Sequence, residues 1–379
     1  MLSLLKNPRF MLIGLVPPSE AKEKTLADFK EVQSLVHTFG GTVYAAIAQN
    51  STRGNSSTYI GTGKTREVAK AIVKKKIDII VINDSLEPNQ LYTLKNIFEQ
   101  SKPNILIWDK IDLILHIFKK HASTALAKLQ IKLADIRHMG PQLYGMGLAL
   151  SQQGGGIGTR GVGETNTEIM KRHWKHEIRN VEKKLDKLTL SQRQQMNRRQ
   201  KTGLLTISII GYTNAGKTTL FNTLAKKSNP VKNVLFTTLD SSVGKFYLPV
   251  IGHVELLSDT IGFIKDLPPQ LIEAFKSTLM ETANADLLLH VIDISDPLMK
   301  DKITVVEEIL RNLGIETKKQ IYIFNKIDIA KKVNRIDLEK QYRAFHPQFI
   351  SAKNKAGISP LIEAIEKELA SSIKLGNHF

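Results

Sequence analysis

The octet Gly211-Tyr212-Thr213-Asn214-Ala215-Gly216-Lys217-Thr218 constrains this chain more than any other stretch. It follows the apolar run Leu204 to Ile210 and precedes Thr219-Leu220-Phe221-Asn222-Thr223-Leu224, so it reads as strand, phosphate-binding loop and helix. Glycines at its first and sixth positions let the backbone curl until successive N–H groups point at phosphate oxygens. The helix N-terminus behind them adds partial positive charge. Lys217 is placed to reach the β- and γ-phosphates, and Thr218 to offer its hydroxyl to Mg2+. The second half of the chain is therefore expected to be a P-loop α/β domain, a mostly parallel sheet with helices on both faces.

Four further stretches fall at strand ends downstream. Phe236-Thr237-Thr238-Leu239-Asp240 lies among polar and Gly/Pro residues. A hydroxyl there, Thr238 in preference to Thr237, suits a segment that closes on Mg2+ when a γ-phosphate is present. The strand Val254 to Ser258 runs into Asp259-Thr260-Ile261-Gly262, where Asp259 suits the Mg2+ shell through water and Gly262 lets an N–H approach the γ-phosphate. The strand Gln320 to Phe324 leads into Asn325-Lys326-Ile327-Asp328. Its last carboxylate can accept from both N1–H and the exocyclic amine of guanine, a pair that adenine lacks. Ser351-Ala352-Lys353 is placed to bring a backbone N–H to guanine O6. Each motif is weak alone; five in this order, in one alternating α/β stretch, are specific for GTP and GDP.

Phosphoryl transfer depends on positioning and charge neutralisation, so Lys217, Thr238, the Gly262 amide and Mg2+ on Thr218 and Thr238 carry the expected catalysis. Phe263 stands where small GTPases orient the attacking water with glutamine, and a phenyl ring cannot hydrogen-bond water, so intrinsic hydrolysis is expected to be slow. In similar GTPases an asparagine at the position of Asn214 helps to bind K+ beside the phosphates; the alternative is that Asn214 caps its own turn.

Upstream, the apolar runs Phe10 to Val16, Thr42 to Ala48, Ile77 to Ile82 and Ile105 to Trp108 alternate with helical patterns, which predicts a small α/β domain over 1–112. Within it, Ile60-Gly61-Thr62-Gly63-Lys64-Thr65 imitates a second phosphate loop. Thr58 stands where the first glycine of the octet belongs, so this turn is either a degenerate anion site or backbone geometry alone. Residues 113–202 read as a helical linker: a helix from Leu113 to His138, a Gly-rich loop within 140–164, and a charged helix from Thr167 to Lys201. The P-loop domain then takes 203–373 and a tail 374–379.

Charge bears on the partner. Lys and Arg number 54 against 36 Asp and Glu, and the formal +18 favours a polyanion, nucleic acid or an anionic membrane surface, over a neutral partner. A merely basic soluble protein is the alternative. The bulky apolar face of a membrane-surface helix is missing, apolar runs are too short to span a bilayer, and the first residues are too brief for a secretory signal, so a cytoplasmic monomer without membrane insertion is expected. The absence of cysteine excludes disulfides, thiolate zinc sites and a cysteine nucleophile.

Residues 204 to about 370 resemble the G domain of translation-factor-class GTPases. Together with Tyr59 to Lys64, Phe236 to Asp240 and the stretch Gly154 to Glu164, nearly the whole chain resembles the HflX family of ribosome-associated GTPases. The resemblance implies binding to the large ribosomal subunit and its rRNA, with the linker loop reaching toward the peptidyl-transferase region. It also implies splitting or rescue of stalled ribosomes, and hydrolysis stimulated by the ribosome. Some members are said to use ATP through the N-terminal domain, which keeps an ATP-driven remodeller as the competing expectation. Val162 stands where the family usually has proline, and the chain stops soon after the G domain, which puts contacts of a C-terminal appendage in doubt.

Overall fold

The computed structural model describes residues 7–18, 22–153, 166–201, 203–227, 235–236, 242–265, 271, 282–330 and 333–376. They divide between two units, Met1–His121 with Lys128–Asp186, and Ala122–Ala127 with Lys187–Phe379.

The first unit alternates β1 (Arg9–Val16), α1 (Lys22–Phe39), β2 (Thr42–Asn50), α2 (Thr62–Lys75), β3 (Ile79–Ile82), α3 (Pro88–Glu99), β4 (Leu106–Asp109) and α4 (Lys110–His121). Every strand pair is parallel, in the order β2-β1-β3-β4. The central strands β1 and β3 are covered on both faces, which is why they read as continuous apolar runs; the edge strand β2 is mostly exposed or half-buried.

The helix expected over Leu113–His138 is two helices, because α4 ends at His121 and α5 (Ala125–Gln153) starts anew. Thr124 marks the restart: its Oγ1 accepts the Ala127 N–H at 3.1 Å, as a helix N-cap does. Helix α4 buries Leu113, Ile114, Ile117 and Phe118 and packs against α1 and β4, so the boundary expected after residue 112 falls inside it. Helix α5 is held to the end of β4 by His138, whose Nε2 lies 3.2 Å from Asp109 Oδ1 and 3.3 Å from Asp112 Oδ1. Burial opposes charge on that imidazole, but hydrogen bonds to the two carboxylates outweigh it and hold its pKa up at about 10.

The charged helix α6 (Asn166–Lys201) packs along α5. Trp174 lies against Gly140, Glu177 pairs with Lys132 at 2.9 Å, and Glu182 pairs with Arg137 at 2.8 Å. Those acids face α5, whereas Lys171, Lys175, Arg179, Lys183 and Lys187 are all exposed. The loop Gly154 to Glu164, with Val162, lies outside the described residues.

The second unit contains β5 (Thr206–Gly211), α7 (Lys217–Ala225), β6 (Ser242–Leu248), β7 (His253–Asp259), β8 (Leu287–Asp293), α8 (Met299–Asn312), β9 (Gln320–Asn325), α9 (Arg335–Gln341), β10 (Gln348–Phe349) and α10 (Ile358–Gly376). The sheet order is β10-β9-β8-β5-β7-β6, parallel except for the edge strand β6, which runs antiparallel to β7. Alternate residues of β9 serve opposite faces. Ile321 and Ile323 join Phe221 of α7 and Ile365 of α10, whereas Tyr322 and Phe324 join Ile303 of α8 and Leu338 of α9. Helices thus cover both faces, as expected. Because these strands run the same way, the loops after β5, β7, β8, β9 and β10 emerge at one edge, where open α/β sheets bind ligands. Among the described residues no helix is long and apolar enough to cross a membrane.

Candidate nucleotide site

The loop from Gly211 to Thr218 curls because two of its residues tolerate conformations that a side chain would forbid. Gly211 has φ +142°, and a Cβ there would run into the carbonyl of Val291; Gly216 has φ +98°, and a Cβ there would strike the Asn325 amide. Asn325 explains the closeness. Its Nδ2 donates to Ala215 O at 2.8 Å, and its Oδ1 accepts from Ala352 N–H at 2.9 Å, so one buried side chain ties the phosphate loop to the Ser351-Ala352-Lys353 segment.

Lys217 opens α7 and is buried, with Nζ donating to Tyr212 O at 2.8 Å. Burial pushes its pKa down to about 8; nearby Asp259 opposes that shift and Lys326 adds to it. An ammonium so desolvated is primed for an anion that restores its counter-charge. Thr218 Oγ1 donates to Asp259 Oδ2 at 2.8 Å, both groups being buried. A hydroxyl and a carboxylate at hydrogen-bond distance are hard oxygen donors of the kind Mg2+ takes, so these two residues fit the ion. Thr238, the other expected ligand, lies outside the described residues, as do Thr237, Leu239 and Asp240; Phe236 beside them is buried with φ +55°.

After β7 the chain passes close under the loop. A Cβ on Gly262 would lie 3.0 Å from Lys217 Nζ and 3.0 Å from Thr213 Cα, so a side chain there would displace the ammonium and crowd the loop. Thr260 Oγ1 donates to Ile209 O at 2.6 Å and fixes the turn. Phe263, at the position of the missing glutamine, has its ring in the interior. Lys265 N–H donates to the Tyr212 hydroxyl at 2.8 Å, a tie between loop and turn that sequence patterns do not carry. Asn214, exposed with φ +62°, makes no side-chain hydrogen bond among the described residues, so the turn-cap alternative has no contact behind it.

In the loop after β9 Asp328 is exposed. Lys326, in the left-handed region at φ +69°, pairs with Asp293 Oδ2 at 2.6 Å, and Ser295 donates to Asp293 Oδ1 from its N–H at 3.0 Å and its hydroxyl at 2.6 Å. Asp293 is a site residue that sequence reasoning missed; its only signal was a carboxylate closing the apolar run of β8. Ile327 N–H donates to Ile350 O at 3.2 Å, and Asn354 N–H donates to Ser351 Oγ at 3.2 Å, which brings the last two motifs side by side. One further buried group lies beneath the loop: His290 of β8, driven down to about pKa 3 by burial and then by the Lys217 charge, and therefore neutral. The described part of the site thus gathers a buried ammonium, a hydroxyl and a carboxylate paired as oxygen donors, and an exposed carboxylate.

The comparisons agree in kind. Residues 206–326 match the family model of 50S ribosome-binding GTPases, residues 27–119 the N-terminal region of GTP-binding GTPases, and residues 121–199 their middle region. The chain is 41% identical over 364 residues to the GTPase HflX of Caldanaerobacter subterraneus subsp. tengcongensis, covering 95% of this chain and 80% of that one. Against the GTPase HflX of Escherichia coli it is 33% identical, covering 93% and 81%, and against that of Methanocaldococcus jannaschii 37%, covering 83% and 76%. Among solved structures, the SsGBP complex with GDP aligns over 97% of this chain and 99% of its own with TM-score 0.53 at 24% identity. A GTP-binding protein of Sulfolobus solfataricus in complex with GDP gives 96%, 99%, 0.50 and 23%. At those identities the likeness is one of fold.

Proposed function

Because the chain belongs to the HflX family of GTPases, and so cleaves GTP to GDP and phosphate, we propose that in its GTP form it binds the large ribosomal subunit through rRNA. There it splits or rescues stalled ribosomes, and its slow basal hydrolysis is raised by ribosome contact. Thr218 and Thr238, with Asp259 through water, would hold Mg2+, which would supply charge neutralisation. Lys217 leaves Tyr212 O for the β- and γ-phosphates, the Gly262 amide meets the γ-phosphate, and Asp328 reads guanine while a backbone N–H of Ser351-Ala352-Lys353 reaches O6. Asn214, whose side chain makes no cap among the described residues, suits K+ at the phosphates.

The observation that carries the ribosomal reading is the row Lys171, Lys175, Arg179, Lys183 and Lys187 on α6, exposed at four-residue spacing while Glu177 and Glu182 between them pair with α5. Four residues of helix advance about 6 Å, so the row presents a cation at nearly every turn to a phosphate backbone. Sedimentation of purified ribosomal subunits with this protein tests it. Co-migration with the large subunit is expected with a non-hydrolysable GTP analogue and not with GDP, with log affinity falling by about 0.7–0.9 per log unit of salt for each phosphate engaged. The triple variant K175E/R179E/K183E should lose co-migration and keep guanine-nucleotide affinity. Retention of subunit binding by that variant would refute the row as the contact.

A further inference from the structure

Phe263 leaves the reaction without the side chain that ordinarily orients the attacking water, and its ring is buried, 2% exposed. Its backbone does something else. Phe263 N–H donates to Gly211 O at 3.1 Å, and Phe263 O accepts from Thr213 N–H at 2.7 Å, so the segment after Asp259 clasps Tyr212, the second residue of the phosphate loop, from both sides.

That clasp sets Thr213 against Gly262. A Cβ built on Gly262 would lie 2.8 Å from Thr213 Cγ2, 3.0 Å from Thr213 Cα and 3.0 Å from Lys217 Nζ. Three groups therefore converge on one small space: the Thr213 side chain, the Gly262 backbone and the Lys217 ammonium. The last two are the groups assigned above to the γ-phosphate. Thr213 is 6% exposed, and its Oγ1 is buried with no hydrogen-bond partner among the described residues. A buried hydroxyl in that condition is costly, and valine would fill the same volume without the cost, so the oxygen is explained by a partner that arrives with the substrate.

We propose that the Thr213 hydroxyl is a catalytic group for GTP hydrolysis, holding the attacking water against the γ-phosphoryl group. A threonine hydroxyl both accepts and donates, so it can accept a hydrogen bond from the water while donating its own to a γ-phosphoryl oxygen. A step about χ1 exchanges the methyl now resting on Gly262 for that hydroxyl. The water oxygen then bonds to the γ-phosphorus as the bond to the β,γ-bridging oxygen breaks, and that electron pair leaves with GDP. A proton of the water passes to a γ-phosphoryl oxygen to give inorganic phosphate, and Thr213 is unchanged. The site thus moves part of the water's positioning from the segment after β7 into the phosphate loop itself.

The test compares the full chain with Thr213→Val, which keeps the shape, and Thr213→Ser, which keeps the hydroxyl. Single-turnover hydrolysis of GTP is read beside equilibrium affinity for GDP, with and without aluminium fluoride as a mimic of the transferring phosphoryl group. Thr213→Val should hydrolyse about 100-fold more slowly, the loss seen when one transition-state hydrogen bond is removed. It should bind GDP within about threefold of wild type and gain little from aluminium fluoride. Thr213→Ser should recover most of both. Hydrolysis by Thr213→Val within twofold of wild type would overturn the proposal. So would a fall in GDP affinity proportional to the fall in rate, which would make the side chain a packing element, or failure of serine to rescue.

Discussion

Two helix starts in this molecule carry the same tripeptide, Gly63-Lys64-Thr65 in the first turn of α2 and Gly216-Lys217-Thr218 at the opening of α7, and their surroundings make them different objects. Gly216 has φ +98° and is pressed on by Asn325, whereas a Cβ on Gly63 would meet nothing within 4 Å. Lys217 is 7% exposed and turned back onto its loop; the Lys64 side chain is 37% exposed and pairs with Glu67 at 2.8 Å, one turn along its own helix. Thr218 donates to Asp259 on another strand, but Thr65 Oγ1 donates to Gly61 O at 3.0 Å, a bond internal to α2. The Gly61 N–H, which opens that helix, is already taken by Gln49 Oε1 at 2.8 Å. A lysine and a threonine after a glycine are therefore not a phosphate site. Strain in the loop and partners brought in from other strands are what make one.

The largest effect should separate the two lysines. Lys217→Ala is expected to weaken binding of a fluorescent GTP analogue by at least about 100-fold, since it removes charge-assisted bonds worth about 1.5–3 kcal/mol each. Lys64→Ala should leave that titration unchanged, and a comparable loss there would erase the distinction. Next come the glycines, read by urea denaturation. Gly216→Ala should destabilise by about 2 kcal/mol or more, from positive φ and the collision with Asn325. Gly63→Ala, in the first turn of α2, should be neutral or stabilise by up to about 1 kcal/mol. Equal destabilisation would mean that the α2 turn is strained after all.

The smallest effect is one of pH. With its pKa near 8 in the fold and 10.5 unfolded, Lys217 binds fewer protons folded than unfolded between those values. It therefore adds stability as pH rises through about 8 to 10.5, and nothing changes below. Nucleotide binding has the opposite sign, because phosphates favour the ammonium: affinity for the GTP analogue should fall above pH 8, by at most about tenfold per unit. Lys217→Met should flatten both profiles. A slope that survives the substitution would place the titration elsewhere.

Local patterns carried much of this molecule. The buried strands β1, β3, β5, β8 and β9 announce themselves as apolar runs, since a strand covered on both faces has no polar positions. The phosphate loop is legible for a similar reason: its glycines and lysine act through backbone conformation and sequence-adjacent amides. A Ser123-Thr124 signal ahead of Ala125 also stood in the sequence, and the helical periodicity on either side hid it. What tertiary structure alone decided were the pairings across distance: Asn325 to Ala215 and Ala352, Lys326 to Asp293, Gln49 to the Gly61 amide, His138 to Asp109 and Asp112. Periodicity records which face of an element is buried, because burial follows from the residue's own chemistry. It does not record which polar group another strand will set opposite, because that depends on sheet order and register, and this is why one Gly-Lys-Thr became a nucleotide cradle while the other closed on itself.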